Sequence, residues 1–165
     1  MQALLQAYHN QQQAIEDRLT SFSRLSEHDI FYELCFCILT PQSKGTFCWE
    51  KVERLKRLGF KERSFNPHRH IKDMRFHHNK NKYLLAAKQM YPQVLEQLHA
   101  AKDSYHLREW LVNHVDGYGY KEASHFLRNI GHRNLAILDR HILKNLVCRG
   151  VIPELPVTLT KKRYL

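Results

Sequence analysis

The sequence predicts an all-α protein. Apolar residues recur at helical spacing in nearly every segment, and helix-starting and helix-stopping residues fall at the ends of those runs. No pair of segments alternates apolar and polar residues as paired strands would. Leu4, Tyr8, Ile15 and Leu19 mark an amino-terminal helix. Ser26-Glu27-His28-Asp29 is a capping-box-like start for Ile30, Phe31, Leu34, Cys37 and Ile38, and Pro41 stops that helix. Cys48, Val52, Leu55 and Leu58 form a third, closed at Gly59. Phe60 to Phe76 reads as irregular, with Asn66-Pro67 as a turn. Tyr83, Leu84, Ala87 and Met90 or Tyr91 begin another helix that Pro92 interrupts, with Val94, Leu95 and Leu98 as a short continuation. Leu107, Trp110, Leu111 and His114 or Val115 follow Asp103 or Ser104 as N-cap. Ala123, Phe126, Leu127 and Ile130 end at Gly131, and Ile142, Leu143, Leu146 and Val147 end at Gly150.

A chain of 165 residues is enough for one domain or two closely packed lobes. Its 26 Lys and Arg against 16 Asp and Glu give a formal net charge of +10. That excess favours polyanions through counterion release, nucleic acid first and an acidic membrane surface second. No apolar run approaches the ~20 residues that span a bilayer. The amino end lacks the basic region and long apolar core of a secretion signal, so a cytoplasmic protein is expected. Cys35, Cys37, Cys48 and Cys148 lack the paired spacing of a zinc site, and the first two lie in an apolar run as reduced core thiols would.

The chemistry concentrates in Val115-Asp116-Gly117-Tyr118-Gly119-Tyr120-Lys121 and Leu138-Asp139-Arg140-His141-Ile142. The first is a tight glycine turn between two helices. Gly117 and Gly119 are both expected to use positive φ and to let a phosphate approach bare amides beside Tyr118. Lys121 falls in the first turn of the next helix. The positive end of that helix and a dry pocket would both favour its uncharged, nucleophilic amine, although the position equally suits a solvated surface lysine. Asp139 is well placed as an N-cap. A carboxylate there can also stabilise positive charge developing nearby.

The combination, with lysine and aspartate 139 − 121 = 18 residues apart, resembles the helix–hairpin–helix DNA glycosylase superfamily. The closer resemblance is to the second, archaeal-type class of 8-oxoguanine DNA glycosylase/lyases. It is carried by residues 119–129 and 136–141, with Leu39-Thr40-Pro41-Gln42-Ser43 and Arg75-Phe76 upstream, and it extends from about Ser26 to Leu165. The resemblance implies a two-lobed helical fold with the active site in the cleft. A central lobe would take residues 26–131, the hairpin occupying about 104–130, and residues 1–25 and 132–165 would form the second. It implies Lys121 and Asp139 as catalytic residues, Gln42 entering the space left by an extruded base, and Arg75 and Phe76 pressing on the stack or partner strand. It further implies damaged double-stranded DNA as partner, a monomer, no cofactor, and no metal beyond a monovalent cation on the hairpin backbone. Some relatives carry an iron–sulfur cluster after the aspartate; only Cys148 lies there, so none is expected.

His68 to Lys82 contains five Lys or Arg, four His and one acid, Asp73. DNA contact is the favoured reading over a solvated basic loop. His68, His70, His77 and His78 lack nearby cysteines or a regular ligand pattern, so no metal is expected there. Phe76 suits either a DNA wedge or the core. In the subfamily the carboxy-terminal helix helps to read the guanine, and Thr160 to Leu165 would stand at its start, so truncation or a differently closed pocket is expected. A glycosylase for oxidised pyrimidines and a non-catalytic hairpin module that only binds DNA remain as alternatives.

Overall fold

The computed structural model describes residues 2–157 and Tyr164. Among the described residues the helices are α1 (Gln2–Phe22), α2 (Glu27–Leu39), α3 (Gly45–Arg57), α4 (His68–Ile71), α5 (His77–Ala100), α6 (Ser104–His114), α7 (Tyr120–Asn129) and α8 (Arg140–Cys148). The expected all-α class holds among the described residues. Of the expected carboxy-terminal helix start, all but Tyr164 lies outside them.

Central in the packing is α2, which lies against α3, α5 and α7. Ser26 starts it as predicted, its Oγ accepting the Asp29 N–H at 3.2 Å and donating to the Asp29 carboxylate at 2.7 Å. Phe31, Leu34, Cys35, Cys37 and Leu39 are completely buried, so this helix faces protein nearly all round. At roughly 1.5–3 kcal/mol per fully buried large apolar side chain, that row is a principal source of stability. Cys48 is likewise buried, whereas Cys148 is exposed.

One expectation needs correction, and two gain detail. Pro92 does not interrupt its helix; α5 runs through it for 24 residues. The proline faces solvent while Tyr91 and Val94 on either side are buried, so packing of the opposite face outweighs the lost backbone bond. The stretch Phe60 to Phe76 is turns around the short helix α4, folded so that Phe60, Ile71 and Met74 enter the core. The apolar spacing in α1 does make a helix, but Leu4, Tyr8 and Ile15 remain 47%, 45% and 40% exposed, and in this helix only Phe22 is buried. The main cluster of buried apolar residues is drawn from between Phe31 and Leu135, and buried Phe22 of α1 and Leu143 of α8 lie outside it.

The α6–α7 turn is locked by α5. Gly117 has φ +85°, and a Cβ added there would lie 2.5 Å from the Tyr83 ring. Gly117→Ala combines left-handed strain with a clash against an aromatic ring. It should cost about 2 kcal/mol or more in urea unfolding. An unchanged midpoint would show that the turn does not close on Tyr83.

Candidate active site

The hairpin is built inward as much as outward. Val115 ends α6 with its N–H on Leu111 C=O, and its own carbonyl accepts Tyr118 N–H at 3.1 Å. Tyr118 then points into the core, where its hydroxyl donates to Leu34 C=O at 3.1 Å and its ring meets Phe126 edge-on. At 7% exposure its side chain is an anchor between hairpin and α2, not the DNA contact expected. Gly119 also departs from expectation. Its φ is −110°, ordinary extended backbone, and it acts as the N-cap of α7. Its N–H donates to the Glu122 carboxylate at 3.3 Å, so two turn amides predicted to meet phosphate are engaged within the protein. The first intrahelical bond of α7 runs from Ala123 to Gly119, which leaves the amides of Lys121 and Glu122 without an intrahelical acceptor. The amide donors left without a partner in the helix therefore lie at the start of α7.

The turn also fits the monovalent cation implied by the resemblance. Gly117 passes through positive φ without a side chain, and the Val115 carbonyl keeps a second lone pair beyond its bond to Tyr118. Backbone carbonyls are the donors such ions take.

Lys121 emerges one residue into α7 with its side chain 25% exposed and its Nζ 3.6 Å from the Glu122 carboxylate. One turn further along the same face lies His125. Asp139 arrives from the other side as the N-cap of α8, its Oδ1 accepting the His141 and Ile142 amides at 2.9 Å each. The loop carrying it is pinned at several points. Ser104 Oγ bonds His132 Nδ1 at 2.6 Å, Tyr105 donates to Asn134 C=O at 3.3 Å, and Leu135 is buried. Tyr164 closes the loop, donating to Ala136 C=O at 3.0 Å and accepting Leu138 N–H at 3.1 Å. Its ring lies 5.6 Å from that of Tyr120, next to Lys121.

His125 feels the charges of both groups. Burial, then the positive charges of Lys121 and Arg128, press its pKa down to about 4, while the Asp139 carboxylate pulls the other way. A largely buried, neutral imidazole thus feels both residues. Its Nδ1 has no hydrogen-bond partner among the described residues.

A second group presents the expected DNA-side residues. Gln42 and Phe76 are the two non-glycine residues with positive φ among those described, at 54° and 58°. Such backbone costs of order 1–3 kcal/mol and persists only where the surroundings impose it. Lys80 imposes it here. Its buried ammonium donates to Pro41 C=O at 3.0 Å and Ser43 Oγ at 2.9 Å, flanking Gln42, while its backbone N–H bonds Phe76 C=O at 3.0 Å. Ser43 therefore braces the loop through its hydroxyl. Gln42, Arg75 and Phe76 are exposed, Phe76 by 48% with the Arg75 guanidinium 5.1 Å from its ring centre, which removes the core reading of Phe76.

Comparison with known proteins gives the same answer as this geometry. A family model described as 8-oxoguanine DNA glycosylase matches residues 12–165. The chain belongs to that family. Among relatives, the 8-oxoguanine DNA glycosylase/AP lyase of Fusobacterium nucleatum is 43% identical over 164 residues, covering 91% of this chain and 75% of that protein. That of Korarchaeum cryptofilum is 35% identical over 168 residues, covering 92% and 74%. The crystal structure of the 8-oxoguanine DNA glycosylase of Thermotoga maritima superposes with a TM-score of 0.88 at 29% identity, over 99% of this chain and 80% of that one. The Methanocaldococcus jannaschii 8-oxoguanine glycosylase/lyase in complex with a 15mer DNA containing 8-oxoguanine gives 0.80 at 33% identity, over 93% and 76%.

Sequence reasoning missed three residues of this family member. Lys80 was counted among the surface cations of the basic segment, but burial turns it inward. His125 carried a signal in its i+4 relation to Lys121. Glu33 carried none, being one acid in an apolar helix. It accepts the Asn129 amide at 2.8 Å, and burial raises its carboxyl above the ordinary range against that bond. Glu33 and Asn129 line a cavity of about 330 Å³ with Arg18, Phe36, Gly45 and Trp49. Phe36 meets the Trp49 ring edge-on on one side and the His125 ring on the other.

Lys80→Met should weaken binding to lesion-containing duplex about tenfold, the loss expected when charge-assisted hydrogen bonds are removed, with the helical signal retained. Equal affinity in a fluorescence-anisotropy titration would remove its bracing role. His125 also sets a pH dependence. The unfolded chain takes up its proton near 6.5 and the folded chain only near 4, so stability is full above 6.5 and falls as pH drops between those values. His125→Gln should flatten the unfolding free energy across that window. A slope unchanged from wild type would contradict a buried neutral imidazole.

Proposed function

We propose that this chain is a bifunctional DNA repair enzyme that extrudes 8-oxoguanine from duplex DNA, excises it, and cleaves the strand as an AP lyase. The observation that carries the reading is the placement of Lys121 in the first turn of α7, directly after the hairpin, and of Asp139 as the N-cap of α8, in a chain of this family. The family's curated relatives share that named activity, and one solved relative holds DNA containing the lesion.

A stacked base hides its sugar carbon, so the nucleotide must first rotate out. Gln42 would fill the space left in the duplex, and Arg75 and Phe76 would press on the distorted stack. The α7 amino end would hold a phosphate, with hairpin carbonyls holding a monovalent cation that adds positive charge beside it. The extruded purine would enter the cavity beside Phe36 and Trp49, with Lys121 at its sugar, because Lys121, His125 and Asn129 follow one another by single turns along α7. The unprotonated Lys121 amine attacks C1′, and the electron pair of the N-glycosidic bond leaves with the base, which takes up a proton. Asp139 stabilises the positive charge that develops on the sugar. Opening of the sugar ring gives a Schiff base with Lys121. Loss of a C2′ proton then expels the 3′ phosphate.

The lobes would divide as 26–131 and 1–25 plus 132–165, consistent with a main buried cluster that takes no residue from α1 or α8. The enzyme would work as a cytoplasmic monomer; among the described residues no helix is long and apolar enough to cross a membrane.

Borohydride should trap a covalent adduct between wild-type chain and an 8-oxoguanine duplex, and Lys121→Gln should form none. Trapping of that variant at the wild-type level would refute the assignment. Asp139→Asn should slow excision about 10²–10³-fold while leaving the unfolding midpoint unchanged, since asparagine caps a helix as well as aspartate. Equal rates across a lesion panel that includes oxidised pyrimidines would refute the guanine preference.

A further inference from the structure

We propose that His68, His77 and His78 form a three-histidine site for a divalent transition-metal ion of the zinc, nickel and copper class. Each offers a ring nitrogen, and the three atoms lie within 4.8 Å of one another. His68 Nε2 and His77 Nδ1 are already 2.8 Å apart. The rings crowd together, with centroids 4.9 Å apart for the tilted pair His68–His77 and the stacked pair His68–His78 and 4.1 Å for the tilted pair His77–His78. A metal about 2.0–2.1 Å from each nitrogen needs its ligand atoms roughly 3.3 Å apart, so small side-chain rotations close the site. His70, the fourth histidine of the segment, is not part of it; it is buried edge-on against Phe65.

The donor set narrows the ligand. Imidazole alone suits zinc, nickel and copper and gives no carboxylate or carbonyl oxygen for magnesium or calcium. His78 is exposed, so the open coordination positions reach solvent. Arg69, Lys72 and Arg75, all near in sequence, make the surroundings basic, which suits a small inner set of neutral ligands completed by an anion or water.

The position gives the ion a consequence. His68 is the first residue of α4, and His77 and His78 are the first two of α5. A metal shared by them staples the two helices across the turn containing Arg75 and the left-handed Phe76. It would hold the exposed Phe76 ring in a single presentation. The site is independent of the Lys121 chemistry, so its failure would leave the proposed activity untouched.

The test uses the untagged full chain after chelator treatment. Titration with Co²⁺ should give one equivalent of binding with a visible ligand-field spectrum, and Zn²⁺ should displace it. The double variant His68→Gln/His77→Gln should bind at least tenfold more weakly, and the single variant at exposed His78 should show the same direction without disturbing the fold. In wild-type protein, Co²⁺ should broaden amide resonances of residues 66–80 before any others. No uptake by wild type, unchanged affinity in the double variant, or broadening centred on another histidine would each overturn the proposal.

Discussion

The seam between α2 and α7 is the constraint on which the site depends. Ala123, Phe126 and Leu127 are wholly buried along it, and Ser124 with them. A rotation of α7 by one residue, about 100°, would carry Lys121 into the core and Phe126 out of it. The apolar face therefore decides where the amine points. At the far end of the same helix the buried Glu33–Asn129 hydrogen bond fixes its position along α2, and Tyr118 does so at the near end through Leu34. Two polar tethers, one at each end, set the register that hydrophobic contact alone would leave loose.

A second constraint couples the elements proposed to meet DNA. Burying an ammonium is costly unless it is fully hydrogen-bonded, and the bonds of Lys80 to Pro41 and Ser43 offset part of that cost. Because its backbone also bonds Phe76, one residue holds two left-handed turns that belong to different parts of the chain. Strain in both places has a common support. The exposed Gln42 and Phe76 side chains are presented by rigid backbone, which lowers the ordering cost of meeting a partner.

Helix existence was readable because it is local. The apolar period, the Ser26 and Asp139 caps and the stops at Gly59 and Gly131 all act within a few residues, and the structure bears them out. The hairpin, with Lys121 in its second helix and Asp139 18 residues on, was readable for the same reason and sufficed for the family. Local signals also misled where a distant surface outweighed them. Pro92 continues its helix because Tyr91 and Val94 are buried by other elements, and the α1 stripe stays exposed because no described element covers it.

The sequence by itself thus determined the helices, their caps, the basic charge and the lysine–aspartate pair, each a property of neighbouring residues. Tertiary structure alone decided that Tyr118 is an anchor, that Gly119 needs no positive φ, and that Lys80 turns inward. It also set His125 where the charges of both Lys121 and Asp139 reach it, and gathered three histidines from two helices. These depend on contacts such as that between Tyr118 and Leu34, 84 residues apart in the chain, and no periodicity or spacing encodes which distant backbone a side chain will meet.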